Sequence, residues 1–202
     1  MSHRRQPMDT VLASLTETAR RLGASDSKAI DASRISAENE LAALCREPPC
    51  ENLGRSMSCP PHVSGPNDFR RALEHYRHAV VFKIDVPTEM LLSAERRGIF
   101  EILHGIASEI ERQAVALGCP KAKAFAGGSC KQIFCHDHDT CRVLSGDGSC
   151  RHADRARPSM SGFGINVSAL MEAAGWTLER IVRNTDPETV PTGTVTGLVL
   201  VD

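Results

Sequence analysis

Residues 79–118 read AVVFKIDVPTEMLLSAERRGIFEILHGIASEIERQAVALG, and this stretch decides the fold. Its first eight residues, Ala79 to Val86, are rich in β-branched and aromatic side chains and predict a strand. Thr88 then stands where an N-cap would open a long helix running to about Leu117. Ile99, Leu103, Ile106 and Ile110 repeat on one face of that helix, and Gly118 ends it. A strand feeding straight into an amphipathic helix is the building unit of a sheet covered by helices.

The same pattern extends to both sides. Upstream, residues 8–23 predict an amphipathic helix with Val11, Leu12, Leu15, Ala19 and Leu22 on one face and Gly23 as its cap. Residues 28–35 alternate well enough for a strand, and FRRALEHYRH (69–78) reads as a helix. Downstream, 121–128 predicts a short strand and 167–174 a helix. TLERIVR (177–183) and TGLVLVD (196–202) predict two strands joined by a Pro-containing connection. The expected fold is therefore α/β (or α+β). An N-terminal helical segment, 1–27, precedes a single mixed-sheet domain, 28–202, with flanking helices. Two Cys-rich, irregular stretches at 45–67 and 130–161 interrupt that domain as metal-binding loops.

Composition narrows the function. The chain has 202 residues, 41% hydrophobic, enough for one good core. Charge is nearly balanced at −1, with no long basic block, and aromatic residues are only 4%, so neither a phosphate-binding surface nor a base-stacking one is expected. No G-x-G-x-x-G or Walker sequence is present. No signal peptide or membrane-spanning run is expected either, which points to the cytoplasm. In that reducing compartment eight cysteines are better explained by metal than by disulfides.

Seven of those cysteines fall in the two irregular stretches. Cys45, Cys50 and Cys59 are spaced C-x4-C-x8-C and followed by Pro60 and Pro61; Cys130, Cys135, Cys141 and Cys150 are spaced C-x4-C-x5-C-x8-C. Cys119 lies between the groups. Iron–sulfur clusters take soft thiolate ligands from loops that wrap a bulky object, and ligands a few residues apart suit that task. Gly127 and Gly128, directly before Ser129 and Cys130, would let backbone N–H groups approach the sulfides. Zinc is the rival. Its structural sites favour close C-x2-C pairs, which are absent here, although His136, His138 and His152 would supply Cys/His alternatives.

The ordered set Cys45, Cys50, Cys59-Pro60-Pro61, a long helix, GGSC (127–130), three further cysteines, RPSM (157–160) and GINV (164–167) resembles a bacterial and archaeal family. Its members are described as predicted metal-binding proteins carrying a domain of unknown function. The resemblance covers roughly residues 28–202. It implies an iron–sulfur carrier with the seven motif cysteines as ligands and no established reaction. The family often has an aromatic residue where this chain has Leu53 and an acidic one where it has Ser161.

The simplest partition by spacing gives Cys130, Cys135, Cys141 and Cys150 to one fully ligated four-iron four-sulfur (4Fe–4S) cluster, suited to electron transfer. The first group, three cysteines strong, either borrows a fourth ligand from Cys119 or His62 or leaves one iron open to substrate. Three readings follow. The first is a two-cluster redox protein serving a partner protein. The second is an enzyme with a cavity above Cys45, Cys50 and Cys59 lined by Arg55 and Ser58. The third is a structural zinc module. Arg142, Arg151, Arg155 and Arg157 would steer an anion or raise a cluster's potential. Ser159 and Met160 would cover a cluster or pack the loop, and Asp137 and Asp139 read as an exposed loop tip.

Overall fold

A computed structural model describes residues 6–202. Helix α1 (Met8–Arg21) leads into strand β1 (Asp26–Asp31) and a 3-10 turn (Ala32–Arg34). Helices α2 (Asn39–Ala43) and α3 (Gly65–Leu73) follow, then β2 (His78–Pro87), α4 (Thr88–Leu92), α5 (Arg96–Ala116) and β3 (Lys123–Ala126). The chain closes with α6 (Cys130–Phe134), a second 3-10 turn (Met160–Phe163), α7 (Val167–Ala173) and β4 (Thr192–Val201).

The fold is of the expected α/β class. Its four strands lie in the order β1-β2-β4-β3, and each neighbouring pair is antiparallel. The last strand enters the middle of the sheet, with Val199 opposite both Val80 and Ala124. Strands β2 and β3 therefore run parallel on either side of β4 and are joined by α4 and α5, a split β–α–β arrangement.

Alternation along the strands sorts the core into two faces. Val80, Phe82 and Ile84 of β2, with Val199 and Val201 of β4, pack against α1 and α5. Ala79, Val81, Leu198 and Leu200 face the other way, onto Phe69 of α3, Phe163 and Leu170. Both faces of β2 are thus buried, which is why its sequence reads as a continuous apolar run. The predicted stripe on α5 is the buried one, and α1 buries Val11, Leu12, Leu15 and Ala19 in the same core. Gly23 and Gly118, both at positive φ, follow α1 and α5 as expected.

Several boundaries differ from the sequence expectation. The helix predicted from Thr88 to Leu117 is broken at 93–95. The Ser93 hydroxyl donates to the Met90 carbonyl and accepts from the Glu95 N–H, which competes with the helical ladder. Thr88 makes no capping bond; Pro87 holds the N-cap position, and the Thr88 hydroxyl is buried without a partner. Strand β1 starts two residues early and stops at Asp31, whose carboxylate accepts from Ser33 N–H and opens the 3-10 turn. Helix α3 starts earlier than predicted, with Pro66 in its first turn. Residues 177–183 form no strand. Nothing between 177 and 190 is buried, so alternation there has no core face to serve.

No helix among the described residues is long and apolar enough to cross a membrane.

Candidate metal centre

The seven cysteines of the two groups sit in and around irregular backbone beyond one end of the sheet. Residues 44–64 form successive turns held by short-range bonds, among them Cys50 N–H to Cys45 O at 3.0 Å and Cys59 N–H to Ser56 O at 3.3 Å. In the second segment Cys130 opens α6 and Cys135 follows its last residue. The Lys131 ammonium, 4% exposed, donates to the carbonyls of Cys135 (2.6 Å) and His138 and so fixes the turn after the helix.

Serines join the two segments. Ser159 N–H donates to Ser58 O at 2.9 Å. Cys130 N–H donates to Ser58 Oγ at 3.3 Å, and the Cys59 thiol to Ser129 Oγ at 3.3 Å. Ser56 Oγ lies 3.1 Å from Ser58 Oγ, which is 3.7 Å from Cys59 Sγ. All four serines are buried, so each of these bonds replaces water that cannot reach the junction.

The thiols differ in environment. Burial pushes the Cys45, Cys130 and Cys135 thiols above their ordinary values. Burial would raise Cys141 too, but the N–H groups of Leu144, Val143 and Met57 stabilise its thiolate and hold it below the usual value. Met57 belongs to the first loop and Cys141 to the second, a further link between the two. Cys45 has Cys50 and Cys59 for thiol neighbours, Cys130 has Cys59 and Cys150, and Cys135 has Cys150 and Cys141, and each neighbour adds to the rise. Arg151 lies close enough to favour the thiolates of Cys135 and Cys141. As they stand, no three His, Cys, Asp or Glu side chains among the described residues are grouped tightly enough to hold a metal ion.

The remaining predicted site residues take varied positions. Cys119 is buried in the core shared with α1 and α5, its N–H bonded to Ala114 O at 2.9 Å. His62 and His136 are exposed, while His152 stacks on Phe134 with ring centroids 5.2 Å apart. Arg157 is a structural residue. It pairs with Glu111 at 2.7 Å and bonds the carbonyls of Ala153, Asp154 and Ala156. Arg142 donates to Asp147 O at 2.8 Å, and Arg155 lies over the Phe134 ring. Asp137 and Asp139 are exposed, Ser159 is buried at the serine junction, and Met160 belongs to the core with Phe69 and Phe163. Gly127 and Gly128 serve packing: a Cβ on either would come within about 3.1 Å of the Phe100 ring. A groove of about 300 Å³ runs beside the first loop, lined by Asn39, Arg46, Pro60, Val63 and Gly162, with neither Arg55 nor Ser58 in its wall.

Two residues that organise the centre escaped the sequence reading. His104 is fully buried on α5, and Lys131 sits under the turn it braces. The only signal for His104 was an imidazole one residue from Leu103 on an apolar helix face.

Two serine-linked loops carrying seven cysteines on a small α/β domain present the donor chemistry of a metal-binding protein. The chain belongs to the family described as predicted metal-binding protein (DUF2284), whose model matches residues 28–201. No curated protein and no solved structure matches it.

Proposed function

We propose that this protein binds two 4Fe–4S clusters through Cys45, Cys50, Cys59, Cys130, Cys135, Cys141 and Cys150 and exchanges electrons with a partner protein in the cytoplasm. The observation that supports this most is the linkage of the thiols. The Cys59 thiol meets Ser129 beside Cys130, and the Cys130 N–H meets Ser58 beside Cys59, so the two loops bring their thiols side by side. A zinc ion would draw four donors to within about 2.0–2.3 Å of a single centre. A cluster takes its thiolates from loops that wrap a larger body, which suits seven thiols spread over two joined loops.

Bound clusters supply one-electron chemistry at a potential set by the charges and hydrogen bonds around their thiolates. This chain's residues supply those terms. The N–H groups of Val143, Leu144 and Met57 aim at Cys141, while Arg151 and Lys131 place positive charge beside Cys135. Each favours the more negative, reduced state. Anaerobic purification followed by iron, sulfide and zinc analysis tests the reading. About eight irons with matching sulfide support two clusters, about four support one, and zinc without sulfide overturns the proposal.

A second reading, an enzyme that binds substrate at an open iron, is favoured by the groove between Arg46, next to Cys45, and Pro60, next to Cys59. It requires that Arg46→Ala weaken the binding of small anions to the reduced protein while leaving its iron content unchanged.

A further inference from the structure

We propose that Cys130 is the fourth thiolate of the first group, with Cys45, Cys50 and Cys59, and that the set short of a ligand is Cys135, Cys141 and Cys150. This rests on the iron–sulfur reading and reverses the partition that spacing alone suggests. Sequence places Cys130 with the cysteines that follow it; the serine junction places it with those that precede it.

Two observations carry the assignment. First, Cys130 is held by the residues that surround Cys59. Its N–H donates to Ser58 Oγ at 3.3 Å, and that hydroxyl lies 3.7 Å from Cys59 Sγ. Reciprocally, the Cys59 thiol donates at 3.3 Å to Ser129, the residue before Cys130. The hydroxyls of Ser56 and Ser58 also face the Cys130 thiol. Second, Cys130 and Cys135 stand at opposite ends of α6. Cys130 is the first helical residue, whereas Cys135 has left the helix at φ −126° and ψ 28°, so no single helical face carries both.

The consequence is chemical. The incomplete set lies beside Arg151, in the second loop, so a ligand that completes it from solution would be a small anion or a thiolate. In the first set Cys59 is buried beside the serine junction while Cys50 is exposed, so a fully ligated cluster there would pass electrons through its Cys50 edge.

Two single substitutions in the full chain test this, with iron and sulfide counted after anaerobic purification. Cys59→Ala leaves three thiolates in each set under the proposal and should keep about eight irons per chain. Cys150→Ala leaves only two in the second set and should fall to about four. Spacing predicts the reverse pair of counts. That reversal, about eight irons in both variants, or about four in both, would overturn the assignment. Each variant is informative alone, so a folding failure in one leaves the other decisive. Wild-type protein lacking iron and sulfide would instead overturn the iron–sulfur reading itself, and the assignment with it.

Discussion

The imidazole of His104 joins the two ends of the second cysteine segment: its Nδ1 accepts the backbone N–H of Arg157 at 3.1 Å, and its Nε2 lies 3.1 Å from the carbonyl oxygen of Gly127. Only a neutral ring with the proton on Nε2 satisfies both partners. Burial disfavours the imidazolium and pushes its pKa down to about 4, well below the usual 6.5. Between those values the unfolded chain binds a proton that the folded chain does not, so stability falls as pH drops from 6.5 towards 4. The linkage amounts to about 2 kcal/mol between pH 7.5 and 5. Urea unfolding at the two pH values should show this difference in the wild type and a clearly smaller one in His104→Gln. Equal pH dependence in both proteins would show that another group carries it.

Glu111 links two elements from the same helix. One carboxylate oxygen accepts the Ala124 N–H of β3 at 2.7 Å, and the other meets Arg157 Nε at 2.7 Å. The paired side chains are only 12% and 17% exposed, so removing one partner leaves a largely buried charge. Glu111→Ala should cost roughly 3 kcal/mol, and Arg157→Ala a similar amount. The double variant should cost clearly less than the sum, since the coupling is lost only once. Additive losses in urea unfolding would mean that the two residues act independently.

The legible part of this protein is the part governed by periodicity. The strand Ala79–Val86, the stripe Ile99–Leu103–Ile106–Ile110 and the caps at Gly23 and Gly118 could all be read because burial imposes a repeat on the residues themselves. What stayed hidden depends on partners far away in sequence. Thr88 is a good capping residue in isolation, yet Pro87 takes the position. Ser93 looks ordinary, but its hydroxyl bonds divide one helix into two. In the candidate site the cysteines announced themselves, but their grouping did not. The Cys59 thiol meets Ser129, and the Cys130 N–H meets Ser58, across about seventy residues, and no local pattern marks such pairs. Ser159 and Met160 read equally as a cluster cover or as loop packing and Arg157 as an anion guide, whereas Arg157 pairs with Glu111 of α5 and Pro158 and Ser159 tie β3 to the first loop.

Gly164 of the GINV stretch is required by close approach. Its φ is +66°, and a Cβ there would lie 2.1 Å from the Glu38 carbonyl oxygen, whose own N–H bonds Gly164 O at 2.8 Å. Backbone cannot step aside as a flexible side chain can, so Gly164→Ala adds a steric clash to the conformational penalty. The expected loss is roughly 3 kcal/mol or more. Gly23→Ala is the control: its φ is also positive, but nothing lies within 4 Å of the added Cβ. It should cost only about 1–2 kcal/mol. Thermal unfolding of the two variants compares them directly, and equal losses would remove the contact with Glu38 as the cause.

Lys131 supplies the last test because its role is local and its failure should be too. Its ammonium is buried and donates to the Cys135 and His138 carbonyls, holding the turn from which residues 136–149 extend. Lys131→Met keeps most of the stem but removes both donors, leaving two carbonyls to find water by opening the turn. Two bonds to a charged donor suggest a loss of roughly 2–3 kcal/mol, concentrated in this segment rather than spread over the sheet. Limited proteolysis read by mass spectrometry should therefore show faster cutting within 136–149. Cutting in the exposed stretch 177–190 should proceed at the wild-type rate, because no element of that stretch touches the turn's donor. Faster cutting at both places would point to general destabilisation of the fold, and unchanged cutting at 136–149 would show that the turn holds its shape without the lysine.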